Sequence, residues 1–468
     1  MDYDIIVIGA GAAGLNVATP CAKLGLKTLL VDKTPEAVGG ECLNTGCVPS
    51  KALLHVAKLK RDAERLGPFG ITTNGGIDFQ KVFGYVRDVQ ASIREHETPE
   101  LLQTFGVEFA FGKACFTSRN SIQVGGEIHR ARRIVIATGS KPRVPPIPGV
   151  EQVSYLTHEN LWQLKELPRE FLIVGAGPIG MEMSQAFTRL GSKVTVIEKA
   201  HRLLLRDSEE AGELIGKHLS AEGVNFLLKA ELVRFTSPNS AEIRTPEGTI
   251  EQRFDQVLIA IGKGLNHDSL DVEKAGIETD NGRMKVDRYL RTTNKNVYAC
   301  GDAAGQIYLT HVTELHGALL LWNFFSPLKK KLSYDDLSWV TFTDPEVATF
   351  GLSEKQLKER GVKYRKVVQG FEDVNRASTD QYPESKLTVY MKGDYILGGT
   401  MIAPNAGELI QELVLAKQNK IPLRKILEKT YAYPTASRIN RWLAIWEYDR
   451  KTTDTIKKVL RGAFRLLN

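Results

Sequence analysis

One grammar of strand, glycine turn, helix and second strand occurs twice in this chain. It appears first as DYDIIVIGAGAAGLNVATPCAKLG followed by KTLLVD, then as REFLIVGAGPIGMEMSQAFTRLG followed by KVTVIE. Each copy carries G-x-G-x-x-G, at Gly9, Gly11 and Gly14 and again at Gly175, Gly177 and Gly180. Each second strand closes on an acid, Asp32 or Glu198, 23 positions after the first glycine of its copy. The glycines allow a tight turn, close approach of backbone to a pyrophosphate, and close packing of helix on strand, with the helix N-terminus facing the anion. The carboxylate stands where a ribose hydroxyl is hydrogen-bonded. A lone fingerprint also serves plain packing, but two with the same acid spacing and the same strand-turn-helix context point to two bound dinucleotides. A carboxylate at the second strand end repels a 2′-phosphate, so Glu198 favours NADH over NADPH. Lys199 and Arg202 nearby pull the other way.

The rest of the chain falls into place around these units. The apolar strands RRIVIATGS and FDQVLIAIGKG each end in a glycine turn, one before and one after the second copy, and NVYACGDAAG ends a strand at Gly301 and Asp302. KPRVPPIPGV is a proline-rich exit from the first domain. We expect a first nucleotide domain over 1–148, a second over 149–265, a return to the first over 266–338, and a separate domain over 339–468. In the last of these, from WVTFTDPEVATFGLSE onward, strands and helices alternate without a glycine fingerprint. The expected fold class is α/β, two Rossmann-like domains followed by an α+β domain.

At 468 residues the chain has room for several domains, and 42% hydrophobic with 25% charged residues is ordinary for a globular protein. No apolar run reaches the roughly 18 residues of a spanning helix, and the N-terminus enters a strand pattern without a signal-peptide grammar. A cytoplasmic location is expected. The net charge of +7 is uneven, because Arg438 to Asn468 holds eight Lys or Arg against three Asp or Glu. A general nucleic-acid surface is therefore not expected, and any basic partner site belongs to the tail.

GGECLNTGCVPSK places Cys42 and Cys47 five apart, too far for a thioredoxin pair or a zinc knuckle. The pattern after Cys47 is helical, with Val48 and Pro49 suited to a first turn. Lys51 stands one turn beyond Cys47 on the same face. A helix N-terminus and a nearby ammonium both lower a thiol pKa, which makes a good nucleophile. Cys21, Cys115 and Cys300 are single, in apolar contexts, and read as packing residues. No metal site is expected from the sequence.

Through GAGAAG, GGECLNTGCVPSK, ATGS, GAGPIGME, the GD motif and TDPEVATFGLSE, the chain resembles the pyridine nucleotide-disulfide oxidoreductases over essentially its whole length. These are FAD flavoproteins that include dihydrolipoamide dehydrogenase, glutathione reductase and mercuric reductase. The resemblance implies FAD on the first fingerprint, with Asp32 on its ribose, Gly139 of ATGS in its site, and Gly301 and Asp302 near its ribityl chain. It implies NADH on the second. Lys51 would sit beside the flavin and pair with Glu182. Electrons would run from NADH through FAD to a Cys42–Cys47 disulfide, Cys47 facing the flavin as thiolate and Cys42 facing the acceptor. The resemblance also implies a homodimer in which the C-terminal domain of one subunit completes the other's site.

The chain departs from the disulfide reductases of that family in YAYPTASR. They carry a His-Pro motif and a glutamate five residues on, whose imidazole protonates the departing thiol; here the aligned residues are Tyr433 and Arg438. A phenol titrates near about 10 and cycles a proton poorly at neutral pH. Mercuric reductases also carry tyrosine there, and moving a soft metal ion between thiolates needs no proton for a leaving thiol. They end in a vicinal cysteine pair, whereas the sequence here closes with RGAFRLLN, and an N-terminal cysteine-containing metal-binding domain is not expected. The leading reading is an NADH-dependent FAD enzyme reducing a soft metal ion or another small acceptor. The alternatives are a dihydrolipoamide dehydrogenase-like enzyme and a flavin-binding, membrane-associated scaffold with vestigial chemistry. In the tail, Ile456, Val459, Leu460, Ala463, Phe464 and Leu467 form one helical stripe flanked by Lys457, Lys458, Arg461 and Arg465, with Trp442 and Trp446 upstream. Residues 442–468 are thus a candidate for peripheral membrane contact. Packing of the stripe on the body of the dimer is the favoured reading, since most amphipathic helices of soluble proteins face a core.

Overall fold

The computed structural model describes residues 1–73 and 76–468. The chain forms two compact units, one of residues 1–203 and 219–333, the other of residues 204–218 and 334–468.

In the first unit, the apolar run of Tyr3–Ile8 is a central strand whose residues Ile5 to Ile8 are all buried, as a parallel strand covered on both faces requires. It pairs in parallel with Thr28–Asp32 on one side and with the end of Glu127–Ile136 on the other. Val107–Phe111 extends the sheet beyond Thr28–Asp32, and Val297–Ala299 lies beyond Glu127–Ile136. The long strand Glu127–Ile136 serves two partners, since its first half pairs antiparallel with Ser121–Val124. A second sheet repeats the parallel theme in the order Asn225–Leu228, Lys193–Glu198, Glu170–Val174, Gln256–Ile259. The two expected nucleotide units are thus both built on parallel sheets of the same local order. They are joined where Ser140–Pro142 pairs antiparallel with Lys263–Leu265, which brings the turns after ATG and AIG side by side.

The other unit is a five-stranded antiparallel sheet, in the order Ser338–Thr341, Glu346–Gly351, Tyr395–Ala403, Lys386–Lys392, Arg365–Gly370, with helices including Gln411–Gln418 and Arg438–Lys451. Phe350, Leu387, Val389, Met401, Leu413, Ile439 and Leu443 share its core. The segment 204–218 is tied to this sheet by Asp207, whose Oδ1 accepts from Trp339 Nε1 at 2.8 Å and Thr349 Oγ1 at 2.9 Å. No described helix is long and apolar enough to cross a membrane.

Candidate active site

The two fingerprints have the same local construction. Gly9 and Gly175 turn at φ +108° and +107°, a region that L side chains rarely adopt. The helices Ala12–Lys23 and Pro178–Leu190 begin after Gly11 and Gly177 with no side-chain cap and no acid in the first turn, so the dipole end is left for an anion. Asp32 Oδ2 accepts from the N–H of Ala10 at 2.6 Å, and Glu198 Oε2 accepts from that of Ala176 at 2.9 Å. Each strand-end acid is therefore pinned to the residue between the first two glycines. A Cβ on Gly177 would meet nothing within 4 Å, which leaves open space beside the turn. These features fit a dinucleotide at both places.

The dithiol lies on the first unit. Cys42 belongs to the short helix Gly40–Asn44, and Cys47 is the first residue of the helix Cys47–Glu64. Both are free thiols, partly buried. Cys47 Sγ is 3.1 Å from Thr310 Oγ1, on the first residue of the helix Thr310–Phe325. The hydrogen bond from Cys42, helped by Thr310 and by the charges of Lys51 and Lys263, overcomes burial and brings the Cys47 thiol down to about 6. Cys42 moves the opposite way, held protonated by the same hydrogen bond and by burial. The pair keeps one proton on Cys42 and a thiolate at Cys47, the division of labour a dithiol needs when one sulfur must be the electron donor. Burial raises the thiols of Cys21 and Cys300 to about 12, so these two are inert. Cys115 lies half-buried in the strand Ala114–Ser118.

Lys51 Nζ donates to Glu182 Oε2 at 2.9 Å, and Glu182 is buried on the second fingerprint's helix. That ion pair bridges the dithiol helix and the second nucleotide unit. The helix bearing Glu182 is also fixed near its other end, where Arg189 Nε and Nη2 grip Glu222 at 2.7 Å each.

A second cluster joins Asp302, singled out from the sequence, to three residues that were not, Glu41, His158 and Lys263. Lys263 Nζ reaches Glu41 Oε1 at 2.5 Å and lies 3.6 Å from Asp302 Oδ2, while His158 Nε2 approaches Glu41 Oε1 at 3.4 Å. Burial works against the charge on Glu41, but His158 and Lys263 outweigh it and hold the carboxyl at about 2. Burial likewise works against the Lys263 ammonium, and Glu41, Asp302 and the Cys47 sulfur together raise its pKa. Asp302 is shifted up by burial, opposed by Lys263 and by Ser140, whose Oγ donates to Asp302 Oδ2 at 2.6 Å. Gly301 and Gly139 make their turns at φ +64° and +71°, and the Gly301 N–H donates to His316 Nδ1 at 3.0 Å. A signal for Lys263 does exist in the sequence: it follows AIG as Ser140 follows ATG, and the strand pairing makes the two turns neighbours.

Tyr433 belongs to the C-terminal unit. Tyr431 is buried, with its hydroxyl donating to Glu412 Oε2 at 2.6 Å, whereas Tyr433 is 67% exposed. Its hydroxyl accepts from Asn375 Nδ2 at 2.7 Å, and the Arg438 guanidinium lies over its ring at 5.3 Å. Tyr433 and Arg438 line a surface cleft with Asp373, Arg376 and Trp442. Among the described residues no group of three or more His, Cys, Asp or Glu is placed to hold a metal ion.

Two dinucleotide units and a polarised dithiol define a class of oxidoreductase that moves electrons through a pair of sulfurs. The family model described as pyridine nucleotide-disulphide oxidoreductase matches residues 3–317, and that of the same family's dimerisation domain matches residues 337–444. The mercuric reductase of Bacillus cereus is 32% identical over 458 residues, 96% of this chain and 72% of that protein. The dihydrolipoyl dehydrogenase of Chlamydia muridarum is 32% identical over 448 residues, 93% of this chain and 95% of that protein. Among solved structures, the HOCl-induced flavoprotein disulfide reductase RclA from Escherichia coli is similar at a TM-score of 0.84 and 26% identity, covering 94% of this chain and 99% of that one. A Cu(II) complex of RclA is similar at a TM-score of 0.82 and 26% identity, covering 93% and 98%. The chain belongs to the pyridine nucleotide-disulphide oxidoreductases, enzymes that depend on FAD and use NAD(P)H. The expected fold class agrees with this membership, and the dimerisation domain supports a homodimer.

Proposed function

We propose that the protein takes electrons from NADH, through FAD on the first fingerprint, to the Cys42–Cys47 pair, and passes them to a small acceptor, a soft metal ion above all. Domains 1–148 and 266–338 would hold FAD and 149–265 NADH, with Asp32, Gly139, Gly301 and Asp302 serving the first and Glu198 the second. Bound FAD would supply two-electron exchange between nicotinamide and disulfide. Glu198 supports NADH: both its oxygens are occupied by backbone N–H groups, of Ala176 and Ala200, so the charge stands fixed where a 2′-phosphate would lie. Lys199 is engaged by Glu231 at 2.7 Å.

The observation that carries the choice of acceptor is the Tyr433–Arg438 pair standing where thiol-releasing relatives carry histidine and glutamate. Reducing a disulfide consumes a proton: RSSR + NADH + H⁺ gives 2 RSH + NAD⁺. Reducing Hg(II) with NADH gives Hg(0), NAD⁺ and H⁺, so no proton need be delivered at the acceptor. A thiolate at Cys47 and an outward-facing phenol suit the second stoichiometry. The similarity to mercuric reductase and to a flavoprotein structure holding Cu(II) supports the same reading. The equal identity to dihydrolipoyl dehydrogenase favours lipoamide as the second reading. In the homodimer Tyr433 of one subunit would approach Cys42 of the other.

Anaerobic steady-state assay with NADH and Hg(II), Cu(II), lipoamide, glutathione disulfide or a quinone separates these readings. A missing acid/base is worth about 10²–10⁴-fold. Disulfides are therefore expected to turn over at least about 100-fold more slowly than the preferred metal ion. Lipoamide turnover as fast as that of the metals would overturn the metal reading.

The pH dependence follows from the dithiol. The Cys47 thiol titrates lower in the folded protein, at about 6, than an ordinary cysteine. Its ionised form is therefore retained at neutral pH and lost as pH falls through about 6. The thiolate-to-flavin absorbance of the NADH-reduced protein is expected to fade on the acid side with that midpoint. Fading already between pH 8 and 9, the ordinary range of about 8.5 for a thiol, would contradict the polarised pair.

A further inference from the structure

We propose that the C-terminal helix Asp454–Leu467 docks the protein on the surface of an anionic phospholipid membrane. The helix is set by its own sequence: Thr453 caps it by accepting from the Ile456 N–H, and Asp454 sits in its first turn at the positive end of the dipole. None of its residues is buried. On the single chain the stripe is exposed, with Ile456, Val459, Leu460, Phe464 and Leu467 between 43% and 81% exposed. At about 100° per residue these side chains and Ala463 share one side of the helix, while Lys457, Lys458, Arg461 and Arg465 occupy the other. Asp454 is the helix's one acid and lies 3.7 Å from Lys457, leaving a net charge of +3 on the element. Trp446, on the preceding helix, is exposed as well.

Charge decides what covers this face. A second copy would set one tail of net +5 against another, and like charges brought together oppose the contact. The match to the family's dimerisation domain also stops at residue 444, ten residues before the helix begins. A phospholipid surface supplies what both faces need, an acyl boundary for the apolar stripe and a plane of negative headgroups for the cations. At 14 residues the helix is about 21 Å long, too short to cross the roughly 30 Å hydrocarbon core, so it would lie in the interface. A single helix of this kind holds weakly and reversibly, and a homodimer brings two.

The test is co-sedimentation of the FAD-loaded full chain with vesicles of phosphatidylcholine, with and without about 30% phosphatidylglycerol, alongside a chain ending at Thr452 and the double variant Leu460→Glu/Phe464→Glu. The full chain is expected to sediment with anionic vesicles about tenfold more than with neutral ones, and to be released when salt rises from about 50 to about 500 mM. Both altered chains are expected to lose binding while keeping dimer mass in ultracentrifugation and NADH oxidation. Indifference of the full chain to anionic vesicles overturns the proposal. So does binding that survives in both altered chains, and so does dissociation of the dimer on truncation, which would make the helix part of the subunit interface.

Discussion

A Cys47→Ser protein is expected to retain FAD yet lose NADH-driven reduction of every acceptor by on the order of 10³-fold or more. Serine keeps the size and the hydrogen bond to Thr310 but cannot form a disulfide, and its hydroxyl does not ionise in the neutral range. The groups around position 47 are arranged for an anion: Thr310 Oγ1 at 3.1 Å, the Cys42 thiol, and the charges of Lys51 and Lys263. Without a thiolate there, NADH titration under anaerobic conditions should bleach the flavin directly, with no long-wavelength band at any stage. Cys42→Ser tests the other half of the pair. It too cannot form the disulfide, so turnover is lost, but Cys47 keeps Thr310, Lys51 and Lys263, and a serine hydroxyl can replace the hydrogen bond from Cys42. The long-wavelength absorbance should then be present before any NADH is added. If Cys42→Ser behaved like Cys47→Ser, with no band in either state, the assignment of the two sulfurs would be wrong; if Cys47→Ser kept full turnover, the dithiol would not be on the electron path.

What the sequence made legible was what depends on spacing. The two glycine turns, their acids 23 residues on, and the cysteines five apart are all short-range patterns, and together they narrow the reading that each alone leaves open. The parallel sheets and the dinucleotide fold followed from them. What it concealed depends on pairing between distant strands. Glu41 meets Lys263 across 222 positions, and Cys47 meets Thr310 across 263, contacts that no local periodicity contains. Glu41 stands beside Cys42 in the cysteine motif, yet its neighbours become visible only once the strands Ser140–Pro142 and Lys263–Leu265 pair. The attachment of residues 204–218 to the C-terminal unit was equally silent, since it rests on side chains distant in sequence, Asp207 meeting Trp339 and Thr349, Glu210 meeting Lys366, and Lys217 meeting Glu384. The tail shows the opposite case. Its stripe and the cations beside it were fully legible, but amphipathic pattern says only that one face needs covering, not what covers it; the structure adds that no residue of the helix is buried on the single chain.

The glycines of the fingerprints do different jobs, and substitution should separate them. In each copy the third glycine is a packing residue. A Cβ on Gly14 would lie 1.8 Å from the carbonyl oxygen of Gly9, and one on Gly180 would lie 1.9 Å from that of Gly175. Both obstacles are backbone, so nothing flexible can yield, and the helix must lift from its strand. Gly14→Ala and Gly180→Ala are each expected to cost at least about 1–3 kcal/mol, the range for overpacking a well-filled interior, seen as a fall in the thermal midpoint. Gly177 is different. Its φ of −77° suits any residue, and a Cβ there meets nothing within 4 Å, so Gly177→Ala should leave stability within about 0.5 kcal/mol of the parent. On the proposed NADH site that space would take the pyrophosphate, and the added methyl is expected to raise the Kd for NADH by about tenfold or more while the bound flavin is untouched. Isothermal titration with NADH, set beside a thermal melt, reads both quantities on the same sample. A Gly177→Ala protein that melts with the parent and binds NADH as tightly would remove the second fingerprint from the nucleotide site. One that melts much lower would show instead that this turn, like those at Gly14 and Gly180, is there for packing.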